Sequence, residues 1–69
     1  MTATVRGRDV RVGDLIPFGG RWHLVRELRP YRHPTLGMTG RTAICEDDWT
    51  IVLYDDSRWD IERPESAER

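Results

Sequence analysis

The chain has no lysine and a single cysteine, Cys45, and no apolar run approaches the length of a membrane-spanning helix. One cysteine excludes an internal disulfide, and no N-terminal stretch has the length and apolarity of a signal peptide, so a reducing, cytoplasmic setting is expected. With 69 residues there is room for one domain and a modest core, not for a catalytic domain beside a substrate domain. Helical signals are also missing. No window keeps apolar residues at helical spacing, and Gly, Pro and Asp recur too often for a long helix.

What is present is a balanced but unevenly distributed charge. The net charge is −1, yet residues 1–41 carry eight Arg against three acids (+5), and residues 42–69 carry three Arg against nine acids (−6). If strands from the two halves interleave in a barrel, these charges mix into an ordinary surface with local pairs.

Apolar segments recur with strand character. Val10 to Val12 with Leu15 to Phe18 forms the first, Trp22 to Leu28 the second, Thr42 to Cys45 the third, Trp49 to Tyr54 the fourth and Trp59 to Ile61 the fifth. Turn residues separate them: Gly19-Gly20, the long Pro34 to Gly40 stretch, Glu46-Asp47-Asp48 and Asp55-Asp56-Ser57. The expected architecture is all-β, a single small five-stranded antiparallel barrel over residues 8–63, with a flexible N-terminus at 1–7 and a polar tail at 64–69. Within the second strand, Trp22, Leu24, Arg26 and Leu28 share one face by parity. Arg26 spoils that face, so a bulge near Leu24-Val25 that turns Val25 and Leu28 inward is expected. Phe18, Trp22, Trp49, Tyr54 and Trp59 are expected to fill the core, leaving Tyr31 exposed.

The run Val10-Arg11-Val12-Gly13-Asp14-Leu15-Ile16, a Gly turn, then Trp22-His23-Leu24-Val25 resembles the opening hairpin of SH3-like barrels of the Tudor and KOW type. That resemblance covers residues 8 to 62 at the level of strand order and implies a small binding module. In this reading Asp14 accepts backbone N–H groups at the barrel corner. The exclusive use of Arg resembles that of small proteins from actinobacteria and their phages.

Catalytic chemistry finds little purchase. His23, His33 and Cys45 are dispersed, without nucleophile–base or metal-ligand spacing, and Cys45 reads as a small buried hydrophobe. The acidic clusters fall where hairpins reverse. A non-enzymatic protein without cofactor or metal is expected.

Binding is the better expectation. The segment Arg29 to Arg41 reads as the longest connection and combines three Arg with Tyr31 and His33. With Arg21, His23 and Arg26 from the second strand, it gives a candidate partner- or nucleic-acid-binding set: Arg21, His23, Arg26, Arg29, Tyr31, Arg32, His33 and Arg41. Arg forks bind phosphates and Tyr31 can stack on a base, so DNA or RNA is a possible ligand. The near-zero net charge instead favours a protein partner or a homodimer paired through an open strand edge, with no membrane partner. Convergence of the Arg side chains on one patch would favour nucleic acid, and scatter would favour protein.

Overall fold

The computed structural model describes residues 1–64, and the polar tail lies outside the described residues apart from Pro64. Six strands, one more than expected, form one antiparallel sheet among these residues: β1 (Thr2–Arg6), β2 (Leu15–Phe18), β3 (Arg21–Arg32), β4 (Thr39–Cys45), β5 (Thr50–Tyr54) and β6 (Arg58–Glu62). The spatial order is β1-β6-β2-β3-β4-β5. Strands β2 to β5 follow one another as hairpins, β6 returns to β2, and β1 adds to the far side of β6. The sheet does not close into a barrel, because β1 and β5 remain its two edges. No helix among the described residues is long and apolar enough to cross a membrane.

Residues 1–7 are not an unpatterned flexible end. Ala3 and Val5 point to the core while Thr2, Thr4 and Arg6 point outward, an alternation that pairs the whole of β1 with β6. Thr2 and Thr4 then donate to Glu62 (2.7 Å) and Asp60 (2.6 Å) across the pair. A short 3-10 turn, Gly7–Asp9, follows β1 and crosses to the β5–β6 connection, where the Gly7 N–H donates to the Ser57 carbonyl at 2.7 Å. Arg41 secures this crossing from within by donating to the carbonyl oxygens of Gly7 and Val10.

The β2–β3 hairpin fixes which side chains face inward. Gly19 and Gly20 both adopt positive φ (60° and 76°), the backbone of a tight two-residue turn whose twist matches its strands. Its register places Ile16 opposite His23, Pro17 opposite Trp22 and Leu15 opposite Leu24. Residues directly opposite share a face. Ile16 is buried, so His23 goes in with it, and Trp22 and Leu24 go out. The expected bulge occurs one residue later, between Val25 and Glu27, with Arg26 as the extra residue, and it carries both Val25 and Leu28 inward.

The core is therefore aliphatic: Val10, Ile16, Val25, Ala43, Cys45, Ile51, Leu53 and Ile61, flanked by Ala3, Val5, Leu28 and Trp59. The expected aromatic core is corrected on this point. Phe18, Trp22 and Trp49 lie at the surface, and only Trp59 packs at the margin of the core. Cys45 is buried as a small hydrophobe, and burial, with Asp47 nearby, pushes its thiol pKa up.

Asp14 supports the base of the hairpin. Its carboxylate accepts from the Arg11 N–H (2.8 Å) and is gripped by Arg63, whose Nε and Nη2 donate at 2.8 and 2.9 Å. Its backbone carbonyl accepts from Val25 N–H at 2.9 Å, so one residue joins the crossing segment, β3 and the end of β6. Burial alone raises the Asp14 pKa, but the Arg63 and Arg11 hydrogen bonds outweigh it and hold the group below 3.8.

Candidate partner-binding face

The candidate residues named from the sequence do not come together. Strand β3 is 12 residues long, so Arg21 and Arg32 lie at its opposite ends, on either side of the bulge at Arg26. Arg29 and Arg32 fall on opposite faces of the strand, since their partners Thr42 and Thr39 are three residues apart on β4. Arg26 occupies the bulge and approaches Asp48 at 3.9 Å, while Arg29 is held by Glu27 at 2.6 Å. Arg41 faces inward and serves the Gly7–Asp9 crossing.

Nor is Arg29 to Arg41 a long loop. Strands β3 and β4 pair through Arg32 and Thr39, which leaves only residues 33–38 as the connection. His33 is half-buried and organises that turn, its Nδ1 accepting from the N–H groups of Thr35 (3.2 Å) and Leu36 (3.1 Å). Tyr31, expected to be exposed, is half-buried, with its ring edge-on to Tyr54 at 6.0 Å across Gly40.

His23, one of the candidate binding residues, is fully enclosed. Nε2 donates to the Phe18 carbonyl at 3.0 Å, and Nδ1 faces an Asp47 carboxylate oxygen at 2.7 Å. A carbonyl and a carboxylate both only accept, so both contacts are hydrogen bonds when the ring carries both protons. Desolvation pushes the Asp47 carboxyl up, but its hydrogen bonds from His23 and the Trp49 N–H outweigh this and hold it below the usual carboxylate range. The Trp49 indole stacks at a tilt on the imidazole, with ring centroids 4.8 Å apart, and meets Phe18 edge-on at 5.9 Å. Both ring nitrogens are engaged, so none is available to take a proton from a substrate. Among the described residues, no three His, Cys, Asp or Glu side chains gather as metal ligands.

The histidine thus ties the tip of the β2–β3 hairpin to the β4–β5 turn. Around this tip, the hairpin and the turn expose large apolar side chains: Trp22 at 53% exposure, Phe18 at 47%, Trp49 at 40% and Leu24 at 38%. Trp22 and Leu24 lie on the outer face beside the half-buried Pro17 and Leu15, whereas Phe18 and Trp49 wrap the opposite side of the tip, over Gly19. Exposed apolar side chains scattered singly carry no meaning; here several gather on one hairpin and its neighbouring turn. Sequence reasoning missed these residues because it gave their rings to the core. For Trp22 and Leu24 the Gly19-Gly20 turn carries the signal, because its register with Ile16 inward sends both outward.

Compared with protein-family models, with curated proteins and with solved structures, the chain matches none.

Proposed function

We propose that this chain is a non-enzymatic binding module that engages a protein partner through the aromatic end formed by the β2–β3 hairpin and the β4–β5 turn. The observation that carries the reading is the concentration of Phe18, Trp22, Leu24 and Trp49 at one end of the molecule while the arginines are dispersed. Aromatic anchors supply most of the energy at protein interfaces, each burying about 150–250 Å². Dispersed guanidinium groups, several already paired with acids, lack the single basic footprint of a nucleic-acid binder. The order of β2 to β6, a meander whose last strand returns beside its first, supports reading the chain as an SH3-like module of the Tudor or KOW kind with one extra N-terminal strand. A free, buried thiol suits a reducing cytoplasm.

The test uses the Phe18→Ser/Trp22→Ser double variant, whose altered side chains lie outside the core. Immobilised wild-type protein should retain a protein partner after nuclease treatment, and the double variant, with an unchanged circular dichroism spectrum, should lose it. In parallel, single-stranded DNA and RNA oligonucleotides at about 50 mM salt, where phosphate contacts are strongest, should show no binding. Oligonucleotide binding that weakens steeply with salt and survives the double substitution would replace this reading with the nucleic-acid one.

A further inference from the structure

The buried His23 ring lies between two groups that only accept hydrogen bonds, the Phe18 carbonyl at Nε2 (3.0 Å) and the Asp47 carboxylate at Nδ1 (2.7 Å). A neutral imidazole carries a single N–H. It serves one of these acceptors and sets the lone pair of its other nitrogen against an oxygen of the other. Asp47 cannot make up the missing proton, because its carboxyl, held below the usual carboxylate range, is ionised wherever histidine titrates, about pH 6.5 in the ordinary case. The doubly protonated ring alone bonds to both sides.

The remaining charged groups around the ring do not replace that proton. Strand β2, Leu-Ile-Pro-Phe, brings none. Glu46 and Asp48 flank Asp47 in the β4–β5 turn, and Arg26 of β3 reaches Asp48 at 3.9 Å. Arg21 stands at the start of β3 and is exposed, and the Cys45 thiol at the end of β4, pushed up by burial, stays neutral. Among the described residues, Asp47 is the one that forms an ion pair with the ring.

We infer that His23 is a proton switch at the hairpin tip: with two protons it ties the β2–β3 hairpin to the β4–β5 turn, and loss of the Nδ1 proton to solvent uncouples the turn and Trp49. The Nδ1 side is the one that yields. The Phe18 carbonyl is backbone in the β2–β3 ladder, whereas Asp47 is an exposed residue on a turn, free to swing its carboxylate to water. Trp49 follows, because Asp47 also accepts its N–H (3.3 Å) and because the indole, 4.8 Å from the imidazole, is attracted by a positive ring and not by a neutral one. The bonds need the proton, so they are complete in acid and are lost as pH rises through the imidazole titration. The switch belongs to the tip itself and operates with or without a partner docked there. His33 has the reverse requirement: its Nδ1 accepts from the Thr35 and Leu36 N–H groups, so acid disturbs its turn, at the other end of β3.

Heteronuclear NMR of the whole chain from about pH 5 to about pH 9 reads both rings through their nitrogen shifts. His23 should carry both protons at the acid end, then lose Nδ1–H and keep Nε2–H as pH rises. The carbon signals of Asp47, Asp48 and the Trp49 ring should move with the same midpoint, while those of Thr35 and Leu36 follow His33. Asp47→Asn separates a switch from a merely structural contact. Its carboxamide NH2 donates to a neutral Nδ1 where Oδ2 stood, and its oxygen still takes the Trp49 N–H, so the tie no longer needs a second proton. The response of Asp48 and Trp49 to pH should then be lost. A His23 ring that keeps one protonation state across the range, a Trp49 ring that does not respond as His23 titrates, or a response that survives Asp47→Asn would overturn the inference; the wild-type titration decides alone if the variant does not fold.

Discussion

Replacing Arg63 by Ala tests how this sheet is held at its base. Asp14 is fully buried and the Arg63 side chain is only 14% exposed, with two guanidinium nitrogens on the two carboxylate oxygens. Removing one partner of such a pair leaves an uncompensated buried charge and costs about 3–5 kcal/mol. At roughly 0.05–0.15 kcal/mol per residue, a chain of this length has about 3–10 kcal/mol in all, so Arg63→Ala should leave a large unfolded fraction at neutral pH. Urea unfolding followed by circular dichroism gives the difference directly, with a midpoint shift of about 3–5 M for a slope near 1 kcal/mol/M.

The sign of the pH dependence separates the pair from simple loss of packing. In the wild type the Asp14 pKa is lower folded than unfolded, so its contribution is complete above 3.8 and is lost as pH falls through the folded value. Without Arg63, desolvation dominates and the carboxyl prefers its neutral form, so the variant should gain stability on acidification toward pH 4, relative to wild type. Asp14→Asn should abolish this difference. An Arg63→Ala variant that loses less than about 1 kcal/mol, or keeps the wild-type pH profile, would show that solvent screens this pair like a surface one.

Two further substitutions probe the turns and the ladder. Gly40→Ala would drive a Cβ into the Leu53 carbonyl and to 2.8 Å from Tyr54 Cα, forcing β4 and β5 apart; a loss of about 1–3 kcal/mol in thermal or urea unfolding is expected. His23→Phe keeps an aromatic ring in place but leaves the Phe18 carbonyl and Asp47 without its hydrogen bonds, so it should cost about 1–3 kcal/mol and change the fluorescence of Trp49, read in a Trp22→Phe/Trp59→Phe background.

The places where sequence reasoning succeeded and failed follow from what parity and turn chemistry can say locally. Strands β2 to β6 were legible because β-branched and aromatic runs alternate with Gly and Asp turns, and the bulge was legible because Arg26 sits at a position the face cannot bury. Strand β1 was missed because its inward residues, Ala3 and Val5, are small and its outward ones are threonines, a faint alternation that gains meaning only against β6. Pro30 read as a loop signal, yet its missing N–H falls on the unpaired side of β3, where no ladder bond is lost. His33 and Arg41 looked like site residues by type, but one caps a turn and the other bonds backbone carbonyls across the sheet.

The exposed rings and the aliphatic core have one cause. The core of this small sheet consists of Val10, Ile16, Val25, Ala43, Cys45, Ile51, Leu53 and Ile61. Placing Trp22 or Trp49 inside would overpack it at a cost of about 1–3 kcal/mol or more, so the rings go to the turns. At the tip His23 gives Trp49 and the Phe18 backbone a rigid support: its two hydrogen bonds join both turns, and its ring is the platform under Trp49. A surface fixed before binding loses little conformational entropy when a partner arrives, which is the condition for a small, weakly buried interface to be specific. His23, named from the sequence among the candidate binding residues, thus acts from below, by fixing Trp49 and the Phe18 backbone at the tip.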